Sequence, residues 1–385
     1  MGSLDLSPSE WRQIVSIRET IHSHPELAFQ EFNTSACIQS ALAAAEIPFT
    51  IVAGTGIVAT IDSGRPGPVV GIRGDMDALP IHEDVALPFR SQCDGVMHAC
   101  GHDVHTAWTL AAGLMVKKRL ARGKIKLIFQ PAEEIVQGAR ALLESGELAD
   151  LDFIFGGHVD RNFPIGTVVC QSGVLSAASD RFQVVISGQS AHAARPHQGV
   201  DTIVAASQWV TAIQSIVSRS IHPSDPVVIT VGSIHGGVAA NILAGSTELL
   251  GTMRTVDSRT RRRCMERIAA ITAGIDEMFG TSSRIEWIPG VPAINNTEPI
   301  IEHATAAISA DLGPEVIRPL GPLNLASEDF AVYLTQIPGA FFRVGACEPS
   351  AVPIPAHSPQ FYVAHEAIPF GAKVLACVAL HQAHL

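Results

Sequence analysis

Side chains that bind metal ions occur in four short segments lying far apart in the sequence. Together the segments supply a thiol, several imidazoles and two adjacent carboxylates. This mixture of donors suits borderline divalent cations such as Zn²⁺, Mn²⁺, Co²⁺ or Ni²⁺. Because four such segments occur in one chain, the sequence predicts a hydrolytic site with two metal ions. The segments are 98–103 (HACGHD), 131–134 (PAEE), 156–158 (GGH) and 356–359 (AHSP).

The first three segments are predicted to lie at the ends of regular elements. The paired glutamates follow a predicted strand over 124–129, and His158 follows a predicted strand over 153–155. The Cys100 segment leads into a predicted helix over 104–122. Since sites in open α/β sheets form outside the carboxyl ends of the strands, we expect these side chains to converge.

The pattern of elements predicts a catalytic domain interrupted by an insertion. Residues 1–179 and 290–385 show strands alternating with helices, which is typical of a mostly parallel sheet covered by helices. Residues 180–289 instead follow the β-α-β-β-α-β order of a ferredoxin-like α+β unit. The predicted helices are 9–23, 31–45, 104–122 with Asp103 as its N-cap, 137–145, 200–218, 258–279, 298–310, 328–336 and 366–382, and the predicted strands are 57–61, 69–74, 124–129, 153–155, 181–187, 226–233, 247–255 and 283–288.

Composition excludes several other classes of protein. The 385 residues, 47% of them hydrophobic, are enough for two domains with real cores. The net charge of -11 argues against a nucleic-acid partner, because the short basic run at 259–263 fits a solvated helix face. No apolar stretch reaches the length of about 18 residues that a membrane span needs. The N-terminal residues resemble no secretion signal and the seven cysteines show no framework spacing, so we expect a reduced, cytoplasmic protein.

The adjacent Glu133 and Glu134 carry the strongest chemical signal. Two neighbouring carboxylates repel each other unless a cation or a proton separates them. With a metal ion present, one can bind it and the other can transfer protons; without one, they would simply favour the start of a helix. A cysteine nucleophile is disfavoured because Cys100 and His102 are too close in sequence to serve each other. A serine hydrolase is disfavoured because the chain contains no G-x-S-x-G turn.

Over nearly its whole length the chain resembles the metal-dependent amidohydrolases of the aminoacylase/carboxypeptidase superfamily. The resemblance is strongest to the branch with auxin-conjugate hydrolases, hippurate hydrolase and N-acyl-amino-acid deacylases. It rests on an ordered set of motifs: 22–26 (HSHPE), 73–80 (RGDMDALP), the Cys100 segment, 129–134 (FQPAEE), 188–196, 327–330 (SEDF) and 357–359 (HSP).

This resemblance implies a dimetal exopeptidase-like fold and a role for each matching residue. It implies two divalent metal ions, Mn²⁺ first and Zn²⁺, Co²⁺ or Ni²⁺ as alternatives, with Cys100 bridging them. Glu133 would be the general base that takes a proton from a water whose pKa the metals lower. Asp77 would orient the site from behind the ligands. The implied ligands are Cys100, His102, Glu134, His158 and His357.

The inserted domain would act as a lid or dimerisation domain, giving a homodimer or homotetramer. In it, His192 would polarise the scissile carbonyl, and Asn241 and Arg254 would hold the carboxylate of the substrate. The expected reaction is hydrolysis of an N-acyl amino acid of the N-acetyl, benzoyl or indoleacetyl type. The loop 160–162 (DRN) departs from the aromatic residue usual in the family and would affect the choice of acyl group. A dipeptidase or carboxypeptidase, and an inactive metal-binding protein, are the alternative interpretations.

Overall fold

In a computed structural model that describes residues 4–385, the chain forms two compact units. The first unit contains the chain up to Leu175, Asn295–Pro322 and Asp329–Leu385. The second contains Ser176–Ile294 and Leu323–Glu328. Residues 1–3, on which part of the N-terminal prediction fell, lie outside the described residues.

Helices and strands alternate through most of the chain. The helices are α1 (Pro8–Ser23), α2 (Phe32–Ala44), α3 (His102–Lys117), α4 (Gly138–Glu144), α5 (Thr202–Ser215), α6 (Ser258–Phe279), α7 (Glu298–Leu312), α8 (Phe330–Tyr333) and α9 (Ala367–Ala383). The strands are β1 (Phe49–Val52), β2 (Gly56–Asp62), β3 (Val69–Asp75), β4 (Lys124–Gln130), β5 (Phe153–Pro164), β6 (Val168–Val169), β7 (Gly173–Ser176), β8 (Ala178–Ser187), β9 (Val227–Gly236), β10 (Ser246–Thr255), β11 (Ser282–Val291), β12 (Ile294–Asn296), β13 (Ile317–Arg318) and β14 (Gly339–Cys347).

The first unit is built on a mixed sheet with the strand order β1–β2–β4–β3–β5–β14–β6–β13. The central strands β4, β3, β5 and β14 are parallel to one another, whereas β1 and β2 add an antiparallel edge. Helix α3 packs against α9, α1 and β3, which places the start of α3 beside the central strands. The prediction of a mostly parallel sheet covered by helices is confirmed.

Local sequence explains where the helices of this unit begin. Ser7 and Glu10 form a reciprocal capping box at the start of α1, and Pro8 occupies the first helical position. Helix α3 is buried on nearly all sides, mostly by apolar residues, with Trp108 fully enclosed. A helix of this kind belongs inside the core, so its first turn can present buried polar side chains.

The second unit has an antiparallel sheet in the order β11–β8–β10–β9. Its elements follow one another as β8-α5-β9-β10-α6-β11, the β-α-β-β-α-β order expected from the sequence. A separate core includes Phe182 and Trp209. The indole N–H of Trp209 donates to Thr272 Oγ1 at 2.8 Å, so this buried polar atom is satisfied.

Several predicted boundaries are wrong. Helix α3 begins at His102 after Gly101, which adopts a left-handed φ of 88°, so Asp103 lies in the first turn and is not the N-cap. Strand β5 continues to Pro164, so that His158 lies within a strand and not after one. The sequence reading missed β14 altogether, although all its residues are buried. No helix within residues 4–385 is both long enough and apolar enough to cross a membrane.

Candidate metal centre

The turn between Cys100 and His102 requires glycine at position 101. Gly101 has a φ of 88°, and a Cβ atom there would lie 2.7 Å from Val159 Cγ2. Other residues rarely adopt this backbone conformation, and no space exists for a side chain. The turn holds its two flanking donors inside the protein, since Cys100 is 8% exposed and His102 is fully buried.

A second unusual turn presents the paired glutamates. It follows β4, and positive φ values of 55° at Ala132 and 62° at Val136 bracket it. Such a conformation costs about 1–3 kcal/mol per residue, and is most unusual for the β-branched Val136. Surrounding hydrogen bonds hold the turn: the Glu134 N–H donates to Asp77 Oδ2 at 2.9 Å, and Glu133 Oε1 accepts from the Asp329 N–H at 3.2 Å.

His102 is oriented by Asp77. Its Nδ1–H donates to Asp77 Oδ1 at 3.1 Å, so its Nε2 atom points the other way. This Nε2 lies 3.9 Å from Glu133 Oε2 and 3.9 Å from Glu134 Oε1. Burial alone would lower the pKa of His102, but the nearby Asp75 and Asp77 carboxylates raise it well above the ordinary value. Asp77 therefore fixes both the candidate ligand His102 and the backbone of the glutamate turn, which is the position of a residue that orients metal ligands.

His158 on β5 has the same kind of orientation. Its Nδ1–H donates to the Val159 carbonyl at 2.7 Å, and its Nε2 faces Cys100 Sγ at 3.2 Å. Burial, with a smaller contribution from His105, lowers the pKa of His158 well below the ordinary value. His158 is therefore held as a neutral imidazole with its Nε2 lone pair toward the thiol, which is the form that binds metals.

His357 reaches the same place from a loop of the first unit. Its backbone has a φ of 64°, and its N–H donates to the Ala99 carbonyl at 2.8 Å. Its Nε2 lies 3.5 Å from Glu134 Oε2, and its side chain is 53% exposed. Hydrogen bonding to Glu134 raises the pKa of His357.

The five predicted ligands fall into two groups that share Cys100. In each group the donor atoms lie within 4.8 Å of one another. The buried His102 Nε2 and Glu134 Oε1 have no hydrogen-bond partner among the described residues, which is costly unless a cation takes that place. The donor set therefore fits two neighbouring metal ions. The groups are Cys100, His102 and His158, and Cys100, Glu134 and His357.

The electrostatics of Cys100 are consistent with this fit. Burial, followed by the nearby Glu134 charge, raises the pKa of the Cys100 thiol to about 12. A protein that needed a reactive thiolate would lower this pKa with a cationic neighbour. The thiolate form requires a strong local positive charge, which divalent cations supply.

Sequence reading assigned no role to a buried network behind the ligands. Asp75 accepts from Arg73 Nη1 at 2.6 Å and from the Nδ1–H of His105 at 2.6 Å. Arg73 also donates to Asp329 Oδ1 at 2.8 Å, and the Asp329 N–H in turn contacts Glu133. The motif 73–80 and Asp329 were noted in the sequence, but their roles depend on partners as many as 256 positions away.

The remaining predicted site residues lie in the second unit. His192 and Asn241 belong to adjacent segments, because the Ala193 N–H donates to the Asn241 carbonyl at 3.0 Å; both side chains are exposed. Arg254 on β10 is partly buried and donates from Nη1 to Ser327 Oγ at 2.6 Å. Burial, and then the neighbouring Arg181, lower the pKa of Arg254.

The first unit combines a mostly parallel α/β sheet with two metal-donor groups that share a thiol, which is typical of metal-dependent hydrolases. Comparisons with known proteins point to the same class. The sequence model of the family described as Peptidase family M20/M25/M40 matches residues 71–381. The chain therefore belongs to this family, and the prediction of a metal-dependent amidohydrolase is confirmed.

Individual relatives resemble the chain over most of its length. N-acetyl-L-cysteine deacetylase of Bacillus subtilis is 42% identical over 87% of this chain and 80% of its own length. IAA-amino acid hydrolase ILR1-like 5 of Arabidopsis thaliana is 35% identical over 95% of this chain and 86% of its own. The crystal structure of the Bacillus subtilis YXEP protein, described as a dinuclear metal binding peptidase from the M20 family, has a TM-score of 0.86 at 33% identity and covers 98% of this chain and 99% of that one.

Proposed function

We propose that this protein hydrolyses the amide bond of N-acyl amino acids to a carboxylic acid and a free amino acid. The observation that carries the proposal is a buried carboxylate, Glu133, beside the two donor groups that share Cys100 and outside both of them, although it also lies within reach of His102 and Glu134. A purely structural metal site has no use for such a spare group. The relatives named for N-acetylcysteine and IAA-amino acids act on amides of this class, which supports the choice of substrate.

Two divalent ions, Mn²⁺ in the first instance, would be held by Cys100, His102 and His158 and by Cys100, Glu134 and His357. When bound, such ions lower the pKa of water and polarise a carbonyl oxygen. Zn²⁺, Co²⁺ and Ni²⁺ suit the same donors and are the alternatives. The solved dinuclear relative supports the number of ions.

Glu133 is the proposed general base. It is 9% exposed, and its Oε1 atom is held by the Asp329 N–H at 3.2 Å, which leaves Oε2 directed toward the ligand His102 at 3.9 Å. From this position it can take a proton from the attacking water and deliver it to the departing nitrogen. The hydrogen bond to the backbone fixes the carboxylate, so that little reorganisation is needed when the proton moves.

For the second unit we propose three roles in handling the substrate. Arg254 would bind the carboxylate of the amino-acid part, because a partly buried guanidinium is a strong and geometrically selective anion partner. Among the described residues no carboxylate lies within ion-pair distance of it, and its hydrogen bond goes to the neutral Ser327 hydroxyl. Asn241 would hold the same carboxylate, and His192 would stabilise the oxyanion.

The same unit is also the proposed dimerisation domain. Strand β9 forms the edge of its sheet, and the side chains of Val228 and Ile234 on it are 41% and 49% exposed. An exposed apolar edge strand favours pairing with another copy. Sedimentation velocity should show a dimer or tetramer, and Ile234→Lys should shift it toward the monomer; a monomeric wild-type protein at micromolar concentration would refute this assignment.

A peptidase that trims short peptides is the second candidate, since the solved Bacillus subtilis relative is described as a peptidase. A substrate panel separates the two functions. Protein reconstituted with Mn²⁺ is given N-acetyl, benzoyl and indoleacetyl amino acids alongside dipeptides, and released amino acid is measured. The proposal expects higher kcat/KM for the N-acyl amino acids and loss of activity with chelator. Preference for dipeptides would establish the peptidase, and no hydrolysis of either group would favour an inactive metal-binding protein.

A further inference from the structure

Two buried arginines hold consecutive backbone carbonyls just after the His357 segment. Arg161 Nη1 donates to the Tyr362 carbonyl at 2.7 Å, and Arg18 Nη2 donates to the Val363 carbonyl at 2.9 Å. The two arginines are 4% and 1% exposed. Because they come from β5 and α1, they fix residues 362–363 from two different elements of the first unit.

Each arginine is itself fixed by an ion pair. Arg18 Nε donates to Asp103 Oδ2 at 2.6 Å, and Arg161 Nη2 lies 2.8 Å from Glu348 Oε2. The Arg161 guanidinium also stacks 4.8 Å from the ring centre of Tyr362. A buried guanidinium without partners is very unfavourable, so these contacts leave little freedom to either side chain. We call this pair of arginines the Arg18–Arg161 clamp.

The clamped segment packs directly on the turn that carries two of the ligands. A Cβ atom on Gly101 would meet Phe361 at 3.6 Å and Val363 at 3.7 Å, so these buried side chains lie over the turn. The His357 N–H donates to the Ala99 carbonyl on the same stretch. Displacement of residues 361–363 would therefore move His357 relative to Cys100.

Apart from its backbone bond to Ala99 and the contact of its Nε2 with Glu134, His357 has little of its own to fix it, so it depends on this support. Its side chain is 53% exposed, and its φ of 64° is unfavourable for a residue other than glycine. An exposed side chain on a strained backbone keeps one orientation only when neighbouring structure imposes it.

We propose that Arg161, acting with Arg18, is a positioning residue that holds His357 in place beside Glu134 and Cys100. The proposal rests on the ligand assignment given above. Residues 160–162, predicted as a loop, lie in β5, and their departure from the usual aromatic residue gains a definite role: Arg161 sets the geometry of the metal position that includes His357. The other position is held separately, because Asp77 orients His102 and the Val159 carbonyl orients His158.

Arg161→Met tests this, because it keeps the length of the side chain and removes the hydrogen bonds. The metal-free protein is titrated with Mn²⁺ by calorimetry, and the metal content after dialysis is measured by elemental analysis. Wild-type protein should bind two ions. In Arg161→Met one ion should bind about 10- to 100-fold more weakly, the usual effect of removing a group that orients a metal ligand, while the other binds normally. Arg161→Lys, which keeps the charge near Glu348, should show a smaller loss.

Lys126→Met is the matched control. Lys126 is also buried in the first unit and also donates to both a carbonyl, that of Glu147, and a carboxylate, that of Asp150. Its removal should lower the melting temperature without changing either metal affinity. The proposal is overturned if Arg161→Met binds both ions like wild type, or if both affinities fall equally in Arg161→Met and Lys126→Met.

If Arg161→Met does not fold, Glu348→Gln is judged by the same criteria, because it weakens the anchor of Arg161 and keeps the arginine. These titrations use no substrate. If the variant binds one ion selectively more weakly, while the wild-type protein hydrolyses no N-acyl amino acid, the clamp is supported and the proposed function is refuted.

Discussion

Replacement of Asp77 by asparagine should weaken metal binding without disturbing the fold. The Asp77 carboxylate accepts two hydrogen bonds, from His102 Nδ1–H at 3.1 Å and from the Glu134 N–H at 2.9 Å. An asparagine has one acceptor oxygen and one NH₂ group, so at one of the two positions a donor would face a donor. The two proposed ligands, His102 and Glu134, would therefore no longer be held together.

A hydrogen bond to a charged group contributes about 1.5–3 kcal/mol, and one of the two is lost in Asp77→Asn. At about 1.4 kcal/mol per factor of ten, metal affinity should fall about 10- to 100-fold. Both contacts are lost in Asp77→Ala, so the fall should be larger.

Competition between the protein and a fluorescent chelator for Mn²⁺ measures the affinity directly. Circular dichroism of the metal-free variants provides the control for folding. If Asp77→Asn and wild type bind Mn²⁺ with affinities within about twofold, Asp77 does not orient the ligands, and the account of the glutamate turn is wrong.

Three further changes test separate parts of the structure. Cys100→Ala should lower the metal content after dialysis from two ions, as measured by elemental analysis; full retention would remove the thiol from the ligand set. Arg254→Ala should raise KM for free-acid substrates by at least about tenfold and leave amidated substrates unaffected, because only the former pair with the guanidinium; equal effects on both would contradict the assignment. At the start of α1, hydrogen bonds from Lys118 and Ser7 lower the pKa of Glu10 to about 2. A lowered pKa in the folded state means that the stabilisation is complete above the ordinary value of 4.5 and is lost as the pH falls toward 2. Glu10→Gln should therefore lower the free energy of unfolding by at most about 1 kcal/mol at pH 7, and in urea titrations the difference from wild type should shrink as the pH falls from about 4.5 toward 2; a difference that does not depend on pH would exclude this ion pair as the cause.

Local sequence signals were sufficient to predict most of the helices and the longer strands. Helix α6 has the predicted bounds because Asp257 caps its start and Gly280, with a left-handed φ of 71°, ends it. The ferredoxin-like order of β8 to β11 was also expected, since these strands alternate polar and apolar residues. Such signals act over a few residues, so they can be read directly from the chain.

The errors arose where distant partners decide the structure. Asp103 has the side chain of a typical N-cap, but it instead accepts hydrogen bonds from Arg18 at 2.6 Å and His22 at 2.8 Å, and Gly101 occupies the cap position. Strand β14 is buried on both faces, so it shows no alternation of polar and apolar residues. Its pairing with β5 is a parallel contact between segments far apart in sequence, for which a single chain gives no local signal.

The candidate site likewise combines features that local sequence reveals with features that distant partners decide. The ligand types were evident from the four segments, and the structure brings Cys100, His102, Glu134, His158 and His357 together. The supporting residues were not evident, because an arginine such as Arg73 or Arg161 has no recognisable spacing from the groups it holds. Arg73 bonds to a partner 256 positions away, and Arg161 bonds to one 201 positions away.

Glu133 is the proposed proton carrier, next to a metal centre that it is not proposed to hold. The most direct test measures the turnover of N-acyl amino acids by the Glu133→Gln variant after reconstitution with Mn²⁺. The metal content is measured on the same sample. We expect two bound ions and a kcat for N-acyl amino acid hydrolysis reduced by about 10²- to 10⁴-fold. A variant that retains its metal and turns over at nearly the wild-type rate would exclude Glu133 as the general base.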